Sequence, residues 1–122
     1  MKILQIKDVL KARVWAGAEI LDREVHAACG CDLMSDVLAF AKEEVLLLTG
    51  LVNPQVIRTA EMLDIKAIVF VRGKDPTEDM IKMAAQKNMN ILSTDYPLYI
   101  ACGKLYQLGL MNKGENEYEV TL

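Results

Sequence analysis

Three short, uninterrupted apolar runs constrain the fold of this chain more than any other feature of its sequence. They are residues 45–48, 67–71 and 91–92. None of the runs alternates with polar residues, so each fits a strand that is buried on both faces, as is typical of parallel sheets. The runs therefore predict a central sheet with other elements packed on both of its sides.

Each run leads into a loop in which Asn or Asp stands close to a proline. The loops are residues 49–54, 72–76 and 93–97. Asn and Asp side chains accept hydrogen bonds from the unpaired amides of a helix N-terminus, and proline fits the first turn because it has no amide. Asn53, Asp75 and Asp95 are therefore predicted to cap three helices. Glu78 is predicted to complete a capping box with Asp75.

The segments after these loops carry apolar residues at helical spacing. The apolar positions are Val56, Ile57, Ala60 and Leu63, then Met80, Ile81, Ala84 and Ala85, and finally Leu98, Ala101, Cys102, Leu105 and Leu108, before a stop at Gly109. A fourth helix is predicted to follow Asp32, which would cap it. Further upstream, the pattern predicts a short helix over residues 6–10 and two short strands, residues 12–16 and 24–29, around a turn at Gly17.

Strand and helix thus alternate four times, which predicts a three-layer α/β sandwich with a mostly parallel central sheet and right-handed crossovers. A length of 122 residues fits one domain. We expect a single domain over residues 1–110 and a polar C-terminal tail over residues 111–122.

Composition excludes two classes of partner. Seventeen acidic residues outnumber fourteen basic ones, and the pI is about 5.1, whereas proteins that bind nucleic acid through phosphates usually carry a basic face. No apolar run approaches the roughly 20 residues needed to span a bilayer. The first eight residues acquire charge too early for a signal peptide. We therefore expect a cytoplasmic chain without nucleic-acid or membrane partners.

The carboxyl ends of parallel strands meet at one edge of a sheet, where ligands commonly bind. The predicted ligand-binding residues at this edge are Thr49, Gly50, Asn53, Arg72, Gly73, Lys74, Ser93 and Thr94. An anion such as a nucleotide or a phosphorylated metabolite would lie against Thr49, Gly50 and Asn53, because no acidic residue follows Asn53 in the first turn. Alternatively, the glycines only permit tight turns, since neither G-x-x-x-x-G-K-[ST] nor G-x-G-x-x-G occurs.

The three cysteines, Cys29, Cys31 and Cys102, argue for reduced thiols and against a disulfide framework. The C-x-C spacing of Cys29 and Cys31 does not match common zinc motifs, and His26 would point to the other face of a strand from Cys29. No metal and no catalytic residue is predicted. A thiol or metal protein that uses Cys29 and Cys31 stays open as an alternative.

Several stretches together resemble the DRTGG domain. They are Gly17, residues 21–25 (LDREV), residues 32–39 (DLMSDVLA), residues 48–50 (LTG) and residues 92–94 (LST). Two positions depart from the motif that names the family. The family has Asp-Arg after the first Thr-Gly, where this chain has Leu51-Val52, and a later Thr-Gly-Gly, where this chain has Val71-Arg72-Gly73.

The resemblance implies the fold of the N-terminal domain of HPr kinase/phosphorylase, and a regulatory or dimerising module without catalytic residues. Relatives occur inside some phosphotransacetylases and CBS-domain pyrophosphatases, and small stand-alone ones accompany iron-only hydrogenase genes. We therefore expect a non-catalytic regulatory or assembly module that forms a homodimer or binds another protein, and that senses a small anion. Seven methionines and the apolar pair Leu110 and Met111 favour self-association. The alternatives are a dedicated small-molecule-binding protein using Thr49, Asn53 and Arg72, and a thiol protein linked to hydrogenase metabolism.

Overall fold

The computed structural model describes residues 1–40 and 44–110, so the predicted tail, residues 111–122, lies outside the described part of the chain. The helices are α1 (Ile3–Leu10), α2 (Met34–Phe40), α3 (Pro54–Met62), α4 (Glu78–Gln86) and α5 (Leu98–Gln107). The strands are β1 (Arg13–Ala16), β2 (Ala27–Gly30), β3 (Val45–Thr49), β4 (Ala67–Phe70) and β5 (Asn90–Ser93). Within the described residues, no helix is both long and apolar enough to cross a membrane.

The five strands form one sheet in the order β1-β5-β4-β3-β2. Strands β2 to β5 run parallel, and β1 joins the far edge antiparallel to β5. The three apolar runs form β3, β4 and β5, as predicted, and all their residues within these strands are buried. The predicted mostly parallel sheet is therefore confirmed, with β1 as its one antiparallel member among the described strands.

Helices cover the sheet on both faces and make it the middle layer of three. Helices α2, α3 and α4 bury apolar residues against one face, and α1 and α5 bury theirs against the other. Successive residues of β3 alternate between these two cores, so that Leu47 faces the three-helix side while Leu46 and Leu48 face the two-helix side. This is the predicted three-layer α/β sandwich.

Only one of the three caps predicted from Asn or Asp beside proline is confirmed. The Asn53 side chain accepts from the amide of Gln55 at the start of α3, with Pro54 in the first turn. Asp75 does not cap α4, because Thr77 is a competing capping residue two positions later and accepts from the amide of Met80.

The predicted capping box of Glu78 with Asp75 is therefore wrong as well. The prediction for Asp95 is also wrong, because α5 begins at Leu98, after Pro97, which offers no side-chain hydrogen bond. The N-terminal helix is longer than predicted, since it begins at Ile3 and not at residue 6.

The two N-terminal strands were predicted to surround a turn at Gly17. In the structure they lie at opposite edges of the sheet instead. The buried amide of Asn90 holds the connection between them. Its Nδ2 donates to the carbonyl oxygen of Gly17 at 2.9 Å, and its Oδ1 accepts from Arg23 Nη1 at 3.0 Å. Gly17 has φ +81, and a Cβ there would lie 2.8 Å from the Met89 carbonyl oxygen, so a side chain would break this connection.

Residues in the left-handed conformation follow four of the helices. Lys11, Asp64 and Asn88 adopt positive φ angles where a helix turns towards the next strand, and Gly109 does so after α5, where a stop was predicted. Leu108 was included in the apolar helical pattern of the last helix, but it follows the last helical residue and is 57% exposed. The turn at the helix end rotates it away from the core.

Candidate functional site

The carboxyl ends of β2, β3 and β4 lie side by side and bring three loops together. Asp32 lies in the loop after β2, Gly50 follows β3, and Arg72 follows β4 closely. This is the edge at which the sequence predicted a ligand site. The three loops contact one another through side chains and backbone groups of opposite charge or polarity, so the predicted proximity of Gly50 and Arg72 is found.

The carboxylate of Asp32 occupies the centre of this cluster. Its Oδ1 accepts from the backbone amide of Gly50 at 2.6 Å and from the hydroxyl of Thr49 at 3.2 Å. The sequence predicted Asp32 as the cap of α2, which is wrong, because α2 begins at Met34 and the carboxylate turns towards the neighbouring loop instead. The parallel pairing of β2 and β3 places an unpaired amide and a hydroxyl within its reach.

Arg72 lies across the backbone of Gly50. A Cβ at Gly50 would overlap the guanidinium, so only glycine permits this approach. The Arg72 Nη2 lies 3.8 Å from Asp32 Oδ2, and the two side chains are 50% and 51% exposed. An ion pair this long and this exposed contributes little to stability, so the guanidinium can exchange Asp32 for another anion at low cost.

The backbone around Arg72 is held in an unusual conformation. Arg72 has φ +64, and Gly73, with φ +68, follows it. The amide of Arg72 donates to the Tyr96 carbonyl oxygen and the amide of Gly73 to that of Thr94, each at 2.9 Å. Gly73 thus contributes turn geometry. The two amide hydrogen bonds to the 94–96 loop fix the backbone from which the Arg72 side chain reaches Gly50.

Lys74 adds a second cation on the same side. Its Nζ donates to the carbonyl oxygen of Gly50 at 3.1 Å. Helix α3 begins four residues after Gly50 and has no acidic residue in its first turn, so the partial positive charge of its N-terminus is not offset there. The oxygen of Asn53 is engaged by the Gln55 amide. The contacts around Gly50 therefore include two cations, Arg72 and Lys74, and the positive end of a helix. They include one carboxylate, that of Asp32.

Ser93 and Thr94 belong to the same edge but not to the same cluster. Ser93 Oγ accepts from Trp15 Nε1 at 2.8 Å, and Thr94 Oγ1 donates to the Leu10 carbonyl oxygen at 2.7 Å. Both residues are buried. Their hydroxyls join the end of β5 to β1 and α1, so both are already engaged by neutral groups of the fold and not by a displaceable charged side chain.

A polar cavity of about 460 Å³ lies at the opposite edge of the sheet, where β2, β3 and β4 begin. Its charged lining residues include Arg23, Lys66 and the carboxylates of Glu24, Glu44 and Asp64. His26 Nε2 lies 3.0 Å from Glu44 Oε2, and Arg23 donates to the Lys66 carbonyl oxygen. This cavity is enclosed, but its three carboxylates disfavour an anion, whereas the two exposed cations beside Gly50, Arg72 and Lys74, favour one.

Cys29 and Cys102 do not show the properties of a reactive thiol. Burial, and then the nearby charges of Cys31, Cys102 and Asp36, raise the pKa of Cys29 to about 11, and burial also raises the pKa of Cys102. A nucleophilic thiol needs the opposite shift. Within residues 1–40 and 44–110, no group of three or more His, Cys, Asp or Glu side chains could hold a metal ion.

Sequence reasoning missed Asp32 as a member of the site. It stands two residues after β2, in the same position relative to its strand as Arg72 to β4. This shared position after a buried strand was the sequence signal that could have identified Asp32 as a site residue. The Asp also fitted a helix start, and a capping role explained it without any reference to neighbouring loops.

Comparison with models of protein families gives no match, and neither does comparison with curated proteins. Among solved structures, the chain is similar to the crystal structure of the CBS and DRTGG domains of the regulatory region of Clostridium perfringens pyrophosphatase, complexed with the activator diadenosine tetraphosphate. The TM-score is 0.72 at 17% identity, over 87% of this chain and 46% of that chain. The chain thus spans about half the length of that protein's regulatory fragment, and it has a DRTGG-like fold, as the resemblance predicted.

Proposed function

We propose that this chain is a non-catalytic regulatory or assembly module that senses a small anionic ligand at the carboxyl edge of its sheet and associates with a second copy of itself. The observation that carries the proposal is the pair of cations around Gly50. Arg72 lies against this glycine and Lys74 donates to its carbonyl oxygen, both beside the unopposed start of α3.

The ligand class follows from these groups. A guanidinium can hold two oxygens of a phosphate at once, an ammonium acts as a compact point charge, and the partial positive charge at the start of α3 favours the same group. We therefore propose a nucleotide or a phosphorylated metabolite that binds near Thr49, Gly50 and Asn53. The structural neighbour supports a regulatory role, since it comes from the regulatory region of an enzyme and was crystallised with a nucleotide activator.

Binding to the wild type and to two matched variants tests the sensing half of the proposal. Inorganic phosphate, pyrophosphate, ADP and diadenosine tetraphosphate would be titrated by calorimetry and by thermal shift. Arg72→Ala removes the cation at Gly50, and Arg58→Ala removes the same charge from the exposed surface of α3. A ligand at 100 times its dissociation constant raises the free energy of unfolding by about 2.7 kcal/mol.

We expect at least one of these anions to bind the wild type and Arg58→Ala equally, and to bind Arg72→Ala about tenfold or more weakly. Equal losses in the two variants would mean a general effect of charge and would contradict a site at Gly50. Absence of binding by every anion at millimolar concentration would contradict the sensing function.

A second observation supports self-association. Tyr99 is 86% exposed and Ile100 41% exposed on α5, and Leu108 is 57% exposed at its end. Between them in sequence stands Gly103, where an added Cβ would meet no atom within 4 Å. An apolar helix surface with a glycine in its middle allows a close approach, and a second copy offers the same surface through a twofold axis.

Sedimentation of two variants tests the assembly. Ile100→Glu places a charge on the α5 surface, and Met62→Glu places one at the end of α3, where Met62 is 68% exposed on the opposite layer. We expect the wild type and Met62→Glu to be dimers at micromolar concentration and Ile100→Glu to be a monomer. A monomeric wild type would contradict the assembly, and a dimeric Ile100→Glu would contradict this surface.

A further inference from the structure

We propose that the Asp32 carboxylate is a built-in competitor for the anion site, and that a ligand binds by displacing it. This inference rests on the proposed anion-sensing function. It adds a means of regulation to that site. In the absence of a ligand, the Asp32 carboxylate accepts from the donors that a ligand would need. The ligand is therefore an anion that can replace a carboxylate there.

The contacts of Asp32 are those expected of a bound anion. One oxygen accepts from the Gly50 amide at 2.6 Å and from the Thr49 hydroxyl at 3.2 Å, and the other lies 3.8 Å from the Arg72 guanidinium. An amide, a hydroxyl and a guanidinium would serve a phosphate oxygen equally well. The Gly50 amide has only one proton to donate, so Asp32 and a ligand oxygen cannot both be paired with it.

Displacement is feasible because Asp32 is only half buried. Its side chain is 51% exposed, so the carboxylate can leave the Gly50 amide and become hydrated. The Thr94 hydroxyl gives the opposite case, since its partner is the carbonyl oxygen of the fully buried Leu10, which cannot leave and become hydrated as Asp32 can. Gly50 itself is buried, so a ligand oxygen would reach its amide by taking the position of the half-exposed Asp32 carboxylate, and one charge-assisted contact would replace another.

The exchange would alter how two loops are joined. Asp32 lies in the loop between β2 and α2, and its carboxylate ties this loop to the loop between β3 and α3. When a ligand takes its place, this tie is lost, while Val37 still holds α2 in the core. A change at the ligand site thereby reaches the start of α2, which gives a sensing module a way to report occupancy.

Two isosteric variants separate this mechanism from a general effect of charge. Asp32→Asn removes the competing charge and retains an oxygen that can accept from the Gly50 amide. Asp36→Asn removes an equal charge from the first turn of α2, where Asp36 has no hydrogen bond to Gly50 or Thr49 among those described. Both positions are exposed, so both variants are expected to fold, and circular dichroism checks this.

Calorimetric titration of pyrophosphate into the three proteins at constant ionic strength is the test. We expect Asp32→Asn to bind pyrophosphate about tenfold more tightly than the wild type, because a like charge within about 4 Å of the ligand is removed, and Asp36→Asn to bind within about twofold of the wild type. The amide resonance of Gly50 in an NMR spectrum should shift on binding to the wild type, since its acceptor changes.

The possible results distinguish this inference from the function on which it rests. If the wild type binds and Asp32→Asn binds no more tightly, or Asp36→Asn gains as much, the competition is overturned and the sensing function stands. If only Asp32→Asn binds, the competition stands and the wild type is not a sensor of this anion. If none of the three binds pyrophosphate at millimolar concentration, both ideas are overturned.

Discussion

The loop after β3 and the loop after β5 look alike in the sequence but differ in what they do. Thr49-Gly50 and Ser93-Thr94 are small polar pairs at the ends of buried strands, and both lie at the carboxyl edge of the sheet. Around Gly50 the contacts are made by half-exposed charged side chains. Around Thr94 they are made by buried, neutral groups. One loop is open to exchange and the other is closed.

The difference comes from what packs on each strand end. β5 lies between β4 and the antiparallel β1, and the last residue of α1, Leu10, reaches the Thr94 hydroxyl. β3 lies between two parallel strands whose own loops carry Asp32 and Arg72. A hydroxyl at a strand end thus becomes a structural tie or part of a candidate ligand site according to its neighbours, and its own sequence context does not distinguish the two.

Removal of the two threonine hydroxyls should give the largest contrast. Thr94→Val leaves the buried carbonyl oxygen of Leu10 without a donor, and we expect it to lower the free energy of unfolding by about 1–3 kcal/mol. Thr49→Val removes the hydroxyl that pairs with the half-exposed Asp32 and with the amide of the partly exposed Leu51. It should cost about 1 kcal/mol or less, because water can reach both residues. Urea denaturation measures both. The reverse order would contradict the division into a closed and an open loop.

The hydrogen bond between Trp15 and Ser93 should add a smaller contribution to the closed loop. We expect Trp15→Phe to lower the free energy of unfolding by about 1 kcal/mol beyond the loss of ring packing, and Ser93→Ala by about 1 kcal/mol. In a double-mutant cycle the two effects should not be additive, since both remove one bond. Additive costs would show that the two side chains do not interact. Anion binding should be unchanged in both variants.

Arg72→Ala should have an effect on stability smaller still, within about 0.5 kcal/mol, because its ion pair with Asp32 is long and exposed. The same urea titration measures it, in the absence of any anion. A cost above about 1 kcal/mol would mean that the guanidinium is part of the folded framework. The loop around Gly50 would then be as closed as the loop around Thr94.

Alkaline pH should test Cys29, which is buried near the end of β2, next to the Asp32 loop. Its pKa is raised from 9.0 to about 11 in the folded chain, so the unfolded chain loses this proton first. The stability that the neutral thiol provides is complete below pH 9 and is lost as the pH rises towards 11. Because this thiol does not titrate near neutral pH, it does not make the free energy of unfolding depend on pH there.

The free energy of unfolding of the wild type should therefore fall more steeply between pH 9 and 11 than that of Cys29→Ala. Urea midpoints at half-unit steps of pH measure both slopes. Parallel slopes would mean that the thiol is hydrated in the folded chain and that the end of β2 is open, as the loop around Gly50 is.

Much of the fold could be predicted from the sequence because it depends on local patterns. The runs that became β3, β4 and β5 are apolar throughout, and burial on both faces follows from that alone. The cap at Asn53 and the stop at Gly109 also follow from short-range chemistry. Where two local solutions competed, as with Asp75 and Thr77, the sequence did not decide between them.

The candidate site was predictable only in its position at the sheet edge. The order of strands placed the loops that carry Asp32 and Arg72 on either side of Gly50, whereas it enclosed Ser93 and Thr94 beneath β1 and α1. Two features depend on contacts between residues up to 84 positions apart. One is the edge of the sheet at which β1 pairs, and the other is which loops become neighbours. The sequence by itself therefore determined which segments form strands and helices. The tertiary structure alone decided which polar groups are already paired and which can be exchanged, because pairing depends on what each group meets in space.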